Sequence, residues 1–139
     1  EYAYKLLENE ECPGWLFMPK NGATTIWESW EGNMTSDRGI ASLNHYSKGA
    51  LCEWLIGSMC GIKIGEKPNT FVIKPLVGGT LTYAKASYNS IYGLVEGGWE
   101  RKDGKTVYTV TIPSNTTAKI ILPDGEQTVG TGKYEFTVN

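Results

Sequence analysis

The residues that most constrain the fold lie in the second half of the sequence, where polar and apolar side chains alternate along one segment after another. Residues 105–112 read KTVYTVTI and directly follow Asp103-Gly104, a dipeptide typical of the tight turn of a β-hairpin. Short strands separated by turn residues every 8–12 residues or so indicate an antiparallel β-sandwich. The predicted strands are residues 71–73, 80–88, 93–100, 105–112, 117–122 and 133–138.

The first half of the sequence follows a helical period instead. Residues 2–7 predict a short helix, and a second helix is predicted from about residue 44 or 45 to residue 60, where Gly61 would end it. Apolar residues cover more than half of its circumference, which predicts burial on two sides. The residues that recur at helical spacing are Leu51, Trp54, Leu55 and Met59.

The change of period between the halves predicts an α+β fold with two parts. Residues 1–65 form the N-terminal helical part, and residues 66–139 form the antiparallel β-sandwich. A polar loop is predicted at residues 32–38. The sequence opens without Met at EYAYKLL, which has the character of the middle of a helix, so we expect a piece of a larger protein.

Composition narrows the possible functions. The formal net charge is −2 with no basic patch, so nucleic-acid and anionic-membrane partners are not expected. No apolar run approaches the roughly 18 residues that span a bilayer. The chain has one His and three Cys without a CxxC motif, so neither a metal site nor a cofactor is expected. Cys52 and Cys60 lie eight residues apart on the predicted helix, which favours buried free thiols.

Residues 23–32 read ATTIWESWEG and place two glutamates beside two tryptophans. A charged side chain among aromatic rings needs a partner or a task. From the residues alone, Glu28 is either a functional carboxylate or a surface or ion-paired glutamate. Trp27 and Trp30 either pack in the core or line a pocket. The single histidine, His45, is either a capping or core residue or a ligand contact.

Four blocks that occur in order along the chain resemble the sequences of a known family. They are GATTIWESWEG, LNHYSKGALCEWLIGSMCGI, FVIKPLVGGTLTYAKASYNSIYGLVEGGW and VTIPSNTTAKIILPDG. Together they are similar to the C-terminal end of bacterial α-L-rhamnosidases of the inverting type, glycoside hydrolase family seventy-eight. The resemblance covers nearly the whole chain. It implies that the first two blocks end an (α/α)₆ catalytic barrel and that the rest forms a C-terminal β-sandwich domain.

The resemblance also implies a reaction and its residues. Terminal α-L-rhamnose is released from glycosides with inversion, which needs one carboxyl group to protonate the leaving oxygen and another to activate water. The family's general base is the glutamate of the ATT-aromatic-glutamate motif, and it matches Glu28. The histidine of the NHY motif, which contacts the sugar, matches His45, while Trp27 and Trp30 would shape the pocket wall. Glu31 receives no catalytic role.

The family's general acid comes from an upstream acidic segment that residues 1–11 do not match. The chain alone is therefore expected to be inactive or nearly so. Exposed helical faces would favour self-association. The resemblance leaves the compartment open between the bacterial cytoplasm and periplasm.

Two other functions stay open for the β-sandwich. It could bind carbohydrate through aromatic side chains, or it could only support a larger enzyme. Strand parity places Tyr83 and Tyr88 on opposite faces, which does not favour a single aromatic row. The aromatic residues considered are Tyr83, Tyr88, Tyr92 and Trp99.

Overall fold

The computed structural model describes residues 1–32 and 41–139, which form two compact units, Glu1–Cys52 and Glu53–Asn139. The polar loop predicted at residues 32–38 lies, after Gly32, outside the described residues. The domain boundary predicted between residues 65 and 66 stays a prediction.

The first unit holds short helices joined by irregular segments. Helix α1 spans Tyr2–Leu7, as predicted, and helix α2 spans Phe17–Lys20. Asn21 ends α2, because its side-chain amide donates to the carbonyl of Phe17 at 2.8 Å and the following Gly22 has a φ of 84°. This positive φ is one that glycine adopts without the steric cost of a Cβ.

The helix predicted from residue 44 or 45 to residue 60 is shorter than expected. Helix α3 spans Leu51–Trp54 and continues directly as a π-helical turn, Leu55–Met59. The preceding residues form turns instead: the Gly49 N–H donates to the carbonyl of Tyr46 at 2.7 Å and the Cys52 N–H to the carbonyl of Gly49 at 2.9 Å, each three residues back rather than the four of an α-helix. The helix therefore begins at Leu51 instead of at residue 44 or 45.

Burial of this helix on two sides is also wrong. Cys52 and Ile56 are exposed, and Gly57 is the only residue of Leu51–Met59 that is buried within the described part of the chain. Of the two thiols predicted to be buried, Cys60 is and Cys52 is not. The apolar pattern indicates which side chains are hydrophobic, but it does not indicate whether other parts of the chain pack against them.

The second unit is a sandwich of two four-stranded sheets, which confirms the predicted fold class. One sheet has the order β1-β2-β6-β7 and the other the order β3-β4-β5-β8. All neighbouring strands are antiparallel except β2 and β6, which are parallel. The strands are β1 Ile62–Ile64, β2 Thr70–Ile73, β3 Tyr83–Ser90, β4 Gly93–Lys102, β5 Lys105–Ile112, β6 Thr117–Leu122, β7 Gly125–Val129 and β8 Gly132–Val138.

The sandwich core follows from strand alternation. On β5, Tyr108, Val110 and Ile112 are buried and alternate with more exposed residues. The predicted hairpin turn at Asp103-Gly104 is confirmed, since both residues have positive φ as a type I′ turn requires. The core residues with 2% exposure or less are Cys60, Phe71, Ile73, Val95, Trp99, Ile112, Ala118 and Ile120.

Trp99 ties the core to the end of the π-helical turn. Its ring is buried, and its Nε1–H donates to the carbonyl of Met59 at 3.0 Å. This bond satisfies the single polar atom of a side chain that otherwise contributes apolar area to the core. Trp15 and Trp54, in contrast, are only half-buried.

Candidate functional site

Two irregular segments lie side by side in the first unit, residues 25–30 and residues 42–48. The first lies within the ATTIWESWEG stretch and the second contains the NHY motif. Hydrogen bonds join the two segments. The His45 N–H donates to the carbonyl of Ile26 at 2.8 Å, and the Thr25 hydroxyl donates to a carbonyl of the facing segment. The structure therefore brings Glu28 and His45, seventeen residues apart in sequence, onto one pair of segments.

The Glu28 carboxylate is exposed and anchored at one oxygen. Its Oε2 accepts a hydrogen bond from the Ser42 N–H at 2.8 Å, and the Glu28 N–H donates to the Ser42 carbonyl at 2.9 Å. This two-way exchange holds Glu28 against the facing segment at Ser42. The other carboxylate oxygen has no hydrogen-bond partner in the part of the chain that the structure describes. It is therefore open to bind water.

The two tryptophans beside Glu28 differ in their surroundings. Trp27 is only 7% exposed and packs on Gly32, where an added Cβ would lie 2.6 Å from the Trp27 ring. Trp30 is half-buried and meets Trp15 edge to face, with ring centroids 5.1 Å apart. Trp27 is thus a core residue of this unit, whereas Trp30 keeps part of its surface accessible.

Glu31 has a different neighbour from Glu28. Its carboxylate faces the thiol of Cys12, whose pKa is raised by desolvation and then by the negative charge and hydrogen bond of Glu31. A carboxylate beside a thiolate disfavours the charged thiolate, so this contact favours the protonated Cys12. Glu28 and Glu31 therefore occupy separate environments.

Lys48 is a site residue that the sequence reasoning missed. Its Nζ donates to the carbonyl of Trp27 at 3.2 Å and also to the carbonyl of Glu28. The same ammonium lies 5.0 Å from the centroid of the Trp30 ring, a cation–π distance. Lys48 therefore contacts three of the four residues of the Trp-Glu-Ser-Trp segment, Trp27, Glu28 and Trp30. Its contacts lie 20 and 21 residues away in sequence, a separation that no local period marks.

His45 is half-buried, and a local bond sets its tautomer. Its Nδ1 accepts a hydrogen bond from the Ser47 N–H at 3.1 Å. A neutral imidazole that accepts at Nδ1 carries its proton on Nε2, so Nε2–H is the remaining donor. The ring also stacks on Tyr46, with centroids 5.0 Å apart and planes at 14°. This arrangement presents one defined donor to a ligand.

The described residues hold no group of three or more His, Cys, Asp or Glu side chains that could bind a metal ion. Among the helices within residues 1–32 and 41–139, none is long and apolar enough to cross a membrane.

The aromatic residues considered for sugar binding in the sandwich do not form one surface. Tyr83 pairs with Glu100, whereas Tyr88 pairs with the fully buried Val95, so the two tyrosines lie on opposite faces of their sheet, as predicted. Trp99 is 2% exposed and belongs to the core. A single row of exposed rings is therefore not present on this sheet.

Two family models match consecutive parts of the chain. The bacterial alpha-L-rhamnosidase 6 hairpin glycosidase domain matches residues 1–59, and the bacterial alpha-L-rhamnosidase C-terminal domain matches residues 69–137. Among curated proteins, the chain is 35% identical over 129 residues to an alpha-L-rhamnosidase of Streptomyces avermitilis, covering 88% of the chain and 12% of that relative. An alpha-L-rhamnosidase of Formosa agariphila is 36% identical over 140 residues, covering 96% of the chain and 15% of the relative.

Solved structures match over almost the whole chain. The Streptomyces avermitilis alpha-L-rhamnosidase complexed with L-rhamnose has a TM-score of 0.85 and 31% identity over 98% of this chain and 16% of that one. The alpha-L-rhamnosidase from Dictyoglumus thermophilum has a TM-score of 0.86 and 26% identity, again over 98% of this chain and 18% of that one. The chain thus spans less than a fifth of the length of these relatives.

Proposed function

We propose that this chain contributes one of the two catalytic carboxyl groups of a longer protein. The chain belongs to the bacterial α-L-rhamnosidase family and matches its C-terminal part. The longer protein would remove terminal α-L-rhamnose from glycosides with inversion at the anomeric carbon. The observation that carries the proposal is the Glu28 carboxylate, with one oxygen bound by the Ser42 N–H and the other open.

Glu28 is proposed to act as the general base. A base must be ionised at the working pH and lie within hydrogen-bond reach of the proton that it takes. The Ser42 N–H at 2.8 Å orients the carboxylate and leaves a lone pair for one water molecule. In an inverting glycosidase the second carboxyl group lies about 6.5–9.5 Å away, which leaves room for that water. We place this general acid in a segment of the longer relatives that the chain does not span.

His45 and Trp30 are proposed to contact the sugar, and Trp27 to support the wall behind them. The Nε2–H of His45 would donate to a rhamnose hydroxyl, because Nδ1 is already bound to the Ser47 N–H. The accessible part of the Trp30 ring suits the apolar C–H face or the methyl group of a deoxysugar. Rhamnose-containing glycosides are accordingly the proposed substrates.

The assay that tests this function compares the 139-residue chain with a longer protein that contains it. On para-nitrophenyl α-L-rhamnoside, we expect the chain alone to release no nitrophenol above buffer and the longer protein to turn over. Proton NMR of the first product should show β-L-rhamnose. Retention of the α-configuration would contradict the general-base role. Turnover by the chain alone that disappears in Glu28→Gln would contradict the need for an outside acid.

Lys48 is proposed as a positioning residue for the Glu28 segment. In the longer protein, we expect Lys48→Met to lower kcat by about 10- to 100-fold with little change in KM, because small displacements of a catalytic group cost this much. Lys48→Arg should recover much of the rate, since a guanidinium can donate to both carbonyls. The control is Lys20→Met, which removes an exposed lysine that pairs with Glu10. A rise in KM at unchanged kcat would contradict the positioning role.

For the second unit alone, a supporting role is the second candidate function. Trp99 donates its only polar hydrogen to Met59 and lies inside the core, which favours packing over sugar binding by this residue. The sandwich would then support the catalytic part of the longer protein. The self-association predicted from exposed helical faces stays a prediction.

A further inference from the structure

The outer face of the β3-β4-β5-β8 sheet, the face opposite the sandwich core, carries two rows of residues across its four strands. The register places one residue of each strand in each row. The first row is Lys85, Gly98, Thr109 and Glu135, and the second is Ser87, Glu96, Thr111 and Lys133. Except at Ser87 and Glu96, the edge strands carry the long side chains and the central strands the short ones, and all of these residues but Gly98 line a trough with a volume of about 650 Å³.

Two features keep the centre of this sheet face low. At Gly98, an added Cβ would lie 2.8 Å from the carbonyl oxygen of Ala84 and 2.9 Å from the Lys85 Cβ, so no side chain fits there. The one long side chain on a central strand, Glu96, accepts a hydrogen bond from the Thr111 hydroxyl at 2.7 Å. The carboxylate is thereby tied to the neighbouring strand. The middle of the sheet consequently stays open to a ligand.

The charged side chains at the two sides of the trough, on the edge strands β3 and β8, lie apart from one another. Lys85, Lys133 and Glu135 take part in no ion pair and no side-chain hydrogen bond within residues 1–32 and 41–139. Lys85 and Glu135 stand on the two edge strands, about 14 Å apart at roughly 4.8 Å per strand, which is too far to pair. Their donors and acceptors therefore point at the trough without internal partners.

The trough continues along the strands past Tyr83, whose ring is 61% exposed, into a second depression of about 450 Å³. Over both depressions the lysines and glutamates balance in number. The lysines are Lys85, Lys102 and Lys133, and the glutamates are Glu96, Glu100 and Glu135. A polyanion would meet the carboxylates and a polycation the ammonium groups, so the balance suits a chain without net charge.

We propose that this trough binds a neutral oligosaccharide or polysaccharide chain. Each sugar hydroxyl can accept from a lysine or threonine and donate to a glutamate, which matches the mixed donors and acceptors of both rows. The exposed Tyr83 ring offers an apolar face to the C–H surface of a sugar at one end. The trough uses other residues than Glu28, His45 and Trp30, and it does not rest on the hydrolytic function.

The test is affinity gel electrophoresis of the 139-residue chain in native gels containing neutral arabinogalactan, galactomannan or xyloglucan. We expect at least one of these glycans to retard the chain relative to a glycan-free gel. Thr109→Arg, which fills the floor, should lose this retardation. Thr128→Arg on β7 of the other sheet adds the same charge at an exposed threonine and should keep it. Each variant is compared with its own mobility without glycan.

A second variant tests the trough independently of whether Thr109→Arg folds. The double change Lys85→Ala with Glu135→Ala removes both walls at exposed positions and should also lose the retardation. No retardation by any of the three glycans, or equal retardation of Thr109→Arg and the parent chain, would overturn the proposal. Retardation by polygalacturonate alone would show anion binding through the lysines and would overturn it as well. Rhamnoside hydrolysis is measured separately, so the two proposals can fail independently.

Discussion

Replacing Glu28 by Gln in the longer protein is expected to lower kcat on para-nitrophenyl α-L-rhamnoside by about 10³-fold, within the range that general-base catalysis supplies. The glutamine carbonyl can still accept from the Ser42 N–H, which the carboxylate accepts at 2.8 Å. The segment should thus keep its conformation, while the side chain can no longer take a proton from water. KM should change little, because the substitution removes an interaction made mainly in the transition state.

The matched control for this experiment is Glu31→Gln, three residues further along the same stretch. Glu31 faces the Cys12 thiol, and the change should leave kcat within about twofold, as surface substitutions away from reacting atoms do. The same change should lower the pKa of the Cys12 thiol, because it removes a carboxylate charge that disfavours the thiolate. A large loss of kcat in Glu31→Gln with little loss in Glu28→Gln would reverse the assignment of the base.

Gly61→Ala is expected to destabilise the chain by about 3 kcal/mol or more, combining the cost of a left-handed backbone with that of a steric clash. Gly61 follows the π-helical turn with a φ of 78°, and an added Cβ would lie 2.2 Å from the backbone nitrogen of Pro75. The two backbones are held together by a hydrogen bond from the Lys74 N–H to the Gly61 carbonyl at 2.9 Å. Relief of the clash would have to break this bond.

Gly104→Ala separates the two contributions. Gly104 also has a φ of 78°, but nothing lies within 4 Å of its added Cβ. Its substitution should therefore cost only the conformational part, about 1–2 kcal/mol. Urea unfolding of both variants, followed by tryptophan fluorescence at unchanged m-value, measures the difference. Equal losses at the two glycines would show that the close approach at Gly61 contributes nothing.

The strands along which polar and apolar side chains alternate are the ones that the sequence predicts. Strands β5 and β6 begin and end where the sequence pattern places them, at Lys105–Ile112 and Thr117–Leu122. Strand β7, Gly125–Val129, was missed because its residues are exposed or half-buried and have no apolar alternation. Strand β1, Ile62–Ile64, was missed because three residues are too few to show a period.

The helix near the site illustrates the opposite case. Its pattern extends apolar spacing back toward residue 44, yet the backbone before Leu51 is irregular. The Gly49 N–H bonds to the carbonyl of Tyr46, three residues back, instead of to the carbonyl of His45 as an α-helix requires. A turn hydrogen bond thus replaces the helical one at a glycine, which is one of the poorest helix formers.

The resemblance of the motifs to a known family singles out Glu28 and His45, whereas period and residue type predict the α+β fold class and the inward face of the alternating strands. Period and residue type are local properties of the chain. Folding brings Ser42 to the Glu28 carboxylate, Lys48 to the carbonyls of Trp27 and Glu28, and Glu31 to Cys12. These partners are 14 to 21 residues apart in the hydrogen bonds to Ser42 and Lys48. Contacts over such separations follow no period, so they become visible only when the chain has folded.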